Sequence, residues 1–292
     1  MFTPAESEAC SRLVALALAE DLGTTGDITS QAIIPESLKG SAVFVARAPG
    51  VVAGLPAAPM VATGVEPRLV FAPLVADGIR VHAGDQLARI SGPMRGILAA
   101  ERTALNFLQH LSGIATLTRQ YVDAVAGLDC KILDTRKTTP GWRLLEKYAV
   151  RQGGGHNHRM GLFDGVLIKD NHWVSLGGMI VRSIRELCRA KQESRDLPIV
   201  EVEVDNLLQL NEILSFSPDI VMLDNMSVES MREAVRCRNA RSPNSPTVML
   251  EASGGVTLAN VRAVAETGID RISIGALTHS APALDIALDY IA

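Results

Sequence analysis

Residues 199–225 read IVEVEVDNLLQLNEILSFSPDIVMLDN, and this stretch decides the fold. Two short apolar runs, IVEVEV and IVML, flank a segment in which Leu and Ile recur at helical spacing. Parallel strands need a long crossover connection, which is usually a helix. The stretch therefore predicts a strand, a helix and a second strand, which together form one repeat of a parallel α/β sheet.

The same alternation extends to both sides, with further apolar runs at KILDT (131–135), VLIKD (166–170), TVMLEASGG (247–255) and RISIGA (271–276). Helices are predicted near 176–190, 206–215, 228–239 and 258–266. Such a sheet is either open or closed as a barrel. Polar residues at the carboxyl ends of the runs favour the barrel, because (β/α) barrels hold their active sites on that face. Six runs rather than eight predict an incomplete barrel.

The first part of the chain has a different pattern. Residues 1–25 have helical spacing, residues 41–92 contain short β-branched runs broken by Gly and Pro, and residues 97–126 are again helical with a break at Gly113. We expect an N-terminal α/β domain over 1–115 and a barrel domain over 116–280. A C-terminal helix over 281–292 is expected to join the first domain.

Composition and charge narrow the class of protein. Of the 292 residues 47% are hydrophobic, and the formal net charge of -4 argues against a nucleic-acid-binding surface. No apolar run approaches the roughly 20 residues that span a bilayer, and no secretory signal is visible. Four scattered cysteines without CxxC spacing are typical of free thiols in a reducing compartment. We expect a cytoplasmic protein that binds neither nucleic acid nor membrane.

Residues 134–172 concentrate positive charge in this acidic chain. The segment holds seven Lys and Arg against four Asp and Glu, an excess of +3, together with a glycine run at 153–155. Cations gathered on turns and strand ends predict a pocket for a small polyanion. The glycines predict a flexible loop that carries His156, His158 and Arg159. A zinc site at the two histidines is disfavoured, because no Cys lies nearby and the flanks are cationic.

Carboxylates in the central strands predict a metal site. Glu201 and Glu203 alternate with Val, so both side chains point to the same side of their strand. Asp224 ends the next run, and neighbouring strands lie about 5 Å apart. Glu203 and Asp224 are therefore candidates to share Mg²⁺ with substrate oxygens. The alternative is an internal salt bridge from Glu203 to Lys169 with no metal.

Two glycine-containing turns follow the last two runs, SGGV at 253–256 and GALTHS at 275–280. Backbone amides of such turns approach phosphate groups, and barrels often build a phosphate site from their final two loops. Each turn alone is weak evidence, because a Gly after a strand more often serves only the turn. Together they predict a phosphorylated substrate, and the cationic segment predicts a carboxylated one.

At these motifs the chain resembles the quinolinate phosphoribosyltransferases. The resemblance covers nearly the whole chain and rests on EDLGTTGDITS (20–30), ERTALNFLQHLSGIATLT (101–118), DTRKTTPG (134–141), GGGHNHRMGLFDGVLIKDNH (153–172), EVEVD (201–205), LDN (223–225), EASGGV (251–256) and ISIGALTHS (272–280). It implies a small α/β sandwich domain followed by an open α/β barrel. It also implies a homodimer or larger homo-oligomer, in which the partner subunit completes each active site.

The resemblance implies a reaction and a role for each matching residue. Quinolinate would receive the phosphoribosyl group of phosphoribosyl pyrophosphate and lose CO2, giving nicotinate mononucleotide for NAD synthesis. Glu203 and Asp224 would hold Mg²⁺ and the ribose hydroxyls, while Lys137 and Lys169 would serve catalysis. The implied dicarboxylate pocket consists of Arg136, His158, Arg159, Lys169 and, from the neighbouring chain, Arg102. The implied phosphate turns contain Ser253, Gly254, Gly255, Gly275 and His279.

Two rival functions stay open. A nicotinate-type phosphoribosyltransferase, or a molybdenum-associated paralogue with the same barrel, would need fewer cations than the HNHR and DTRK motifs supply. A catalytically silent phosphate-binding protein would have no use for the pair of Glu203 and Asp224. A turnover assay with quinolinate and nicotinate separates all three functions.

Overall fold

The computed structural model describes residues 1–194, 196–242 and 245–291. Its strands are β1 Lys39–Ala46, β2 Gly50–Val51, β3 Val70–Pro73, β4 Arg80–Val81, β5 Gln86–Pro93, β6 Lys131–Leu133, β7 Val166–Ile168, β8 Val200–Val204, β9 Ile220–Asp224, β10 Met249–Ser253, β11 Arg271–Ser273 and β12 Ile286–Ile291. Its α-helices are α1 Pro4–Leu22, α2 Ile28–Ile33, α3 Ala57–Val65, α4 Met94–Ala124, α5 Arg143–Gln152, α6 Asp170–Leu176, α7 Ile180–Glu193, α8 Leu207–Leu214, α9 Val228–Asn239, α10 Val261–Ala265 and α11 Ala276–His279. None of these helices combines the length and apolar character that crossing a bilayer requires.

The chain forms two compact units, and each is built from separate segments. The first unit contains Met1–Arg119, Lys137–Gly155 and Ala276–Ala292. The second contains Gln120–Arg136 and His156–Gly275.

The first unit is built on an antiparallel sheet with strand order β12-β1-β5-β3. In the centre of β1, Phe44 lies opposite Ala88 of β5 and Leu288 of β12. Phe44 and Ala88 are fully buried or nearly so, while α1 packs on α3 and α5. The sheet and its helices therefore form the small N-terminal α/β sandwich that the sequence predicts.

The prediction of a helix over 281–292 was wrong, because Ile286–Ile291 forms the edge strand β12. Ile286 and Leu288 are buried while Ala287 and Asp289 are partly exposed, which is the period of two of a strand. Pairing with β1 supplies the backbone hydrogen bonds that a helix would otherwise have made.

The predicted break at Gly113 was also wrong, because α4 continues without interruption from Met94 to Ala124. A Cβ placed on Gly113 would lie 2.1 Å from the carbonyl oxygen of Pro282. The glycine therefore allows a backbone segment to approach the helix closely, and it does not end the helix.

We expect Gly113→Ala to lower the thermal stability of the protein. The added methyl group meets a backbone carbonyl that cannot rotate away, and overpacking of this kind costs about 1–3 kcal/mol. The matched control is Gly178→Ala, because a Cβ at Gly178 meets nothing within 4 Å. Equal melting temperatures for the two variants in a calorimetric scan would contradict the close approach.

The glycine run at 153–155 packs closely against helix α4. A Cβ on Gly153 would lie 2.5 Å from the carbonyl oxygen of Ala115, and one on Gly154 would lie 2.8 Å from the Arg119 side chain. The prediction that these glycines make a flexible loop is thus replaced by close packing against a helix.

The second unit is built on a six-stranded parallel sheet with strand order β6-β11-β10-β9-β8-β7. All six runs predicted from the sequence form its strands. Within the described residues β6 and β7 are the two edges of the sheet, so the barrel is open. His156 bridges to Leu133 of β6, where its backbone N–H donates to the carbonyl of Ile132 at 2.8 Å. The segment after the glycine run is therefore attached to one edge of the sheet.

Candidate active site

Predicted site residues of the second unit gather at the carboxyl edge of its sheet. Lys169 follows β7, Glu203 lies near the end of β8, and Asp224 and Ser253 end β9 and β10. Ser253 lies directly opposite Asp224 in the register of the parallel pair. Because the strands are parallel, their ends bring these four side chains to one face, as the sequence pattern predicts.

Lys169 and Glu203 form an ion pair in this face. Lys169 Nζ lies 2.7 Å from Glu203 Oε2, and the Trp173 indole N–H donates to the Glu203 carbonyl at 3.3 Å. The Glu203 side chain is 5% exposed and that of Lys169 is 42% exposed. The salt bridge that the sequence offered as an alternative to a metal is thus present. The exposed lysine is free to reach toward a ligand, whereas the buried carboxylate has a fixed position.

Asp224 lies close enough to Glu203 for the two carboxylates to interact. Burial raises the pKa of the Asp224 carboxyl, and the nearby Glu203 raises it further, although Lys169 opposes this. Two oxygen ligands that repel each other on the rim of a polar site suit a hard cation such as Mg²⁺, which binds through one or two carboxylates. The residues present therefore fit the predicted metal.

The turn after β10 has the backbone shape that only glycine adopts readily. Gly254 and Gly255 have φ angles of 84° and 64°, in the left-handed region. Asn225, directly after Asp224, also has a positive φ of 52°, and its N–H donates to the Ser253 carbonyl at 2.9 Å. The helix predicted near 258–266 begins only at Val261, so the turn does not lead directly into it. Any phosphate would rest on the turn itself.

Two arginines of the predicted anion pocket lie near each other. Burial lowers the pKa of the Arg159 guanidinium, and the positive charge of Arg136 lowers it further. Arg159 Nη1 donates to the carbonyl of Gly165 at 2.9 Å, which fixes the direction of its side chain. Glu201 and Asp164 act in the opposite direction. An anion that reached both guanidinium groups would be held by two positive charges.

His158 lies in a cluster of charged side chains inside the barrel. Its Nε2 is 3.0 Å from Glu201 Oε2 and 3.3 Å from Glu251 Oε1, and its side chain is 9% exposed. On the far side of Glu251, Arg271 Nε is 2.7 Å from Oε2. Burial, and then Glu251, raise the pKa of the Glu201 carboxyl.

Sequence reasoning missed this cluster as a unit. The alternation in EVEVD places Glu201 inside, and Glu251 interrupts an apolar run, but the meeting of both with His158 depends on the strand order. One ligand atom each from His158, Glu201 and Glu251 lie within 4.8 Å of one another, a grouping that could hold a metal ion. His156, whose pairing with His158 in a zinc site is disfavoured by the sequence, is exposed and is not part of this grouping.

Three predicted residues belong to the first unit. Arg102 is exposed on α4, and Lys137 is exposed with its carbonyl accepting a 2.8 Å hydrogen bond from the Thr278 hydroxyl. His279 ends the short helix α11, and its Nδ1 lies 2.7 Å from Ser280 Oγ. Gly275, after β11, is the last residue of the second unit.

Two family models match the chain and together cover most of it. The model described as quinolinate phosphoribosyl transferase, N-terminal domain, matches residues 27–112. The model for the C-terminal domain of the same family matches residues 114–289.

Whole-length relatives carry concordant names. The chain is 46% identical to nicotinate-nucleotide pyrophosphorylase [carboxylating] of Mycobacterium leprae, with 99% of this chain and all of that protein aligned. It is 44% identical to the chloroplastic enzyme of the same name from Arabidopsis thaliana, over 94% of this chain and 81% of that one.

A solved structure of an enzyme with the same name has the same fold. The nicotinate-nucleotide pyrophosphorylase from Francisella tularensis superposes with a TM-score of 0.89 at 41% identity, covering 99% of this chain and 98% of that one. With both family models matched in order and the open barrel in place, the chain belongs to the quinolinate phosphoribosyltransferase family.

Proposed function

We propose that this protein transfers the phosphoribosyl group of phosphoribosyl pyrophosphate to quinolinate. The reaction releases pyrophosphate and CO2 and gives nicotinate mononucleotide in de novo NAD biosynthesis. The observation that carries this function is the pair of neighbouring guanidinium groups, Arg136 and Arg159, in a unit whose carboxyl face also presents Lys169, Glu203 and Asp224. A dicarboxylate and a phosphorylated sugar together use all five groups.

The dicarboxylate would bind to the arginines. Guanidinium groups bind carboxylates through two parallel hydrogen bonds, and two such groups match the two carboxylates of quinolinate. Lys169 would contribute a third cation when its ammonium turns from Glu203 toward the substrate. We further propose a homodimer or larger homo-oligomer in which the exposed Arg102 reaches the quinolinate of a neighbouring subunit.

Glu203 and Asp224 would hold Mg²⁺ together with the ribose hydroxyls. Their mutual proximity, reflected in the raised pKa of Asp224, supports a cation there. When bound, the metal neutralises charge on the departing pyrophosphate.

The protein residues have their own part in the reaction. A pyridine nitrogen is a modest nucleophile, so the C1 carbon of the ribose must develop positive charge as the leaving group departs. Glu203 has a buried side chain, and its backbone carbonyl accepts the Trp173 indole N–H. Once Lys169 has turned to the substrate, the Glu203 carboxylate would present its negative charge to that carbon. Lys137 would lie near the phosphoribosyl donor and stabilise the leaving group.

Decarboxylation then follows from the product of the first step. Alkylation turns the ring into a pyridinium. When the bond between C2 and its carboxylate breaks and CO2 departs, the electron pair stays on C2, where the adjacent positive nitrogen stabilises it, and a proton from water then bonds to C2. The arginines must orient this carboxylate without stabilising it more than the transition state. The 5-phosphate would rest on Ser253, Gly254, Gly255, Gly275 and His279.

We also propose where in the cell the protein is located. Its cysteines are free thiols, which is usual in a reducing cytoplasm. Plant relatives are named as chloroplastic and mitochondrial, so we propose a cytoplasmic location for this chain from its own thiols alone.

The decisive experiment is turnover by the purified protein with phosphoribosyl pyrophosphate and Mg²⁺, offered quinolinate or nicotinate. We expect nicotinate mononucleotide and CO2 from quinolinate, no product from nicotinate, and loss of turnover when EDTA removes the metal. Human nicotinic acid phosphoribosyltransferase shares the fold with a TM-score of 0.62 at 12% identity, so fold alone does not separate the two substrates. Product from nicotinate alone would overturn the dicarboxylate pocket.

A further inference from the structure

We infer that His158, Glu201, Glu251 and Arg271 form a positioning cluster that sets the place of Arg159, and that His158 acts through Arg159 rather than by touching the substrate. This inference rests on the proposed function, because it concerns the dicarboxylate pocket. It gives a role to three residues, Glu201, Glu251 and Arg271, that the reaction itself does not use.

The imidazole of His158 is occupied on both sides. Its Nε2 faces Glu201 and Glu251 at 3.0 and 3.3 Å, and its Nδ1 accepts the backbone N–H of Arg159 at 2.8 Å. Nδ1 is used by this hydrogen bond, Nε2 points to two buried carboxylates, and only 9% of the side chain is exposed, so a carboxylate ligand has little access to the ring. The hydrogen bond from Arg159 instead couples the ring to the backbone of the arginine.

The segment that carries His158 and Arg159 has a second anchor at the edge of the barrel. The buried Asp134 accepts the His158 backbone N–H at 2.9 Å and the Asn157 side-chain amide at 2.5 Å. Asp134 follows β6, whereas Glu201 lies in β8 and Glu251 in β10. The segment therefore contacts residues of three strands of the open sheet, or residues directly after them. In addition, the Arg159 guanidinium donates a hydrogen bond to the Gly165 carbonyl.

Arg271 makes Glu251 a fixed partner. Its Nε lies 2.7 Å from Glu251 Oε2, and the Arg271 side chain is 13% exposed while that of Glu251 is fully buried. Glu251 also lies directly opposite Arg271 in the register of β10 and β11. Because Arg271 fixes one oxygen of the Glu251 carboxylate, the other oxygen has a fixed position opposite the His158 imidazole and restrains that ring.

The ligand atoms of His158, Glu201 and Glu251 suit a divalent cation less well than they suit this positioning role. Glu251 already faces the Arg271 cation, and both Glu201 and Glu251 face Nε2 of His158. Adding a doubly charged ion would leave this buried cluster with excess positive charge, which is costly in a low-dielectric interior. We therefore assign the cluster to the protein side chains alone.

The test is Glu251→Gln in the full-length protein, with wild-type turnover of quinolinate measured first. That wild-type measurement tests the proposed function separately from this inference. We expect the KM for quinolinate to rise at least tenfold, while the KM for phosphoribosyl pyrophosphate stays within twofold. The matched control is Arg238→Gln, which breaks another partly buried ion pair of the same unit, with Asp270, and should leave both KM values unchanged.

The coupling to Arg159 is read from a double variant. In an Arg159→Ala background, adding Glu251→Gln should change kcat/KM for quinolinate by less than twofold, because no guanidinium remains to be positioned. Independent losses that multiply would overturn the inference. So would equal increases in both KM values for Glu251→Gln alone, or one equivalent of divalent metal in the wild type that Glu251→Gln loses.

Removing one charge of a buried pair endangers folding, so a second variant is required. Glu251→Gln combined with Arg271→Met removes both charges together and still deprives His158 of its fixed carboxylate. The same selective rise in the KM for quinolinate is expected, and its absence in this folded variant would overturn the inference.

Discussion

Arg159→Ala is expected to raise the KM for quinolinate by about two orders of magnitude, with the KM for phosphoribosyl pyrophosphate nearly unchanged. Two hydrogen bonds from a guanidinium to a carboxylate are lost, and bonds to charged groups contribute about 1.5–3 kcal/mol each. At the lower end of that range the two bonds together contribute about 3 kcal/mol, which corresponds to a change in affinity of about two orders of magnitude. Steady-state kinetics with each substrate varied in turn measures the effect.

Two further variants show whether the planar fork or the charge of Arg159 is responsible. Arg159→Lys keeps the charge and loses the fork, so its KM should lie between those of the wild type and Arg159→Ala. Arg262→Ala removes an exposed arginine of the same unit, which pairs with Glu266 and the Ala124 carbonyl, and should have no effect. An unchanged KM in Arg159→Ala would remove this residue from the pocket.

Glu203→Gln is expected to lower kcat by about a hundredfold to a thousandfold. The KM for quinolinate should change much less, whereas the KM for phosphoribosyl pyrophosphate should rise because Glu203 would also hold Mg²⁺ and the ribose hydroxyls. The substitution keeps the shape of the side chain but removes the negative charge that would face the cationic ribose carbon. Loss of one preorganised electrostatic contact of this kind costs about 2.7–4 kcal/mol at the transition state. Single-turnover measurements would separate this effect on chemistry from product release.

The control for Glu203→Gln is the same change at Glu212, which is exposed on α8 of the same unit. It should keep wild-type kinetics. The hypothesis about Glu203 fails if both variants have similar kcat values, or if Glu203→Gln alters only the melting temperature.

The barrel was predictable because its evidence is local. Each strand is a short apolar run that ends in a polar residue, and residues such as Lys169, Glu203 and Asp224 reach the active face simply by ending parallel strands. All strands of a parallel sheet end on the same face, so a residue at the carboxyl end of any strand is predicted to lie there. The residues of the candidate site could therefore be identified without knowing which strands are neighbours.

The errors share a cause, which is contact between distant parts of the chain. Gly113 in a helical segment suggests a break until Pro282 is known to lie against it. Residues 286–291 are short and apolar enough for either helix or strand, and their pairing with β1 decides between the two. Likewise, the meeting of His158 with Glu201 and Glu251 depends on which strands are neighbours, and no local pattern encodes that.

The strand β12 imposes an order on biosynthesis. Strand β1 is synthesised about 240 residues before residues 286–291, so its outer edge must wait for them to be paired. At about 5–20 residues per second, this delay is on the order of tens of seconds. During that time an unpaired edge rich in Val and Phe is a template for association with other nascent chains. Overproduction of this protein should therefore depend on chaperones that cover β1 until residues 286–291 have emerged and paired with it.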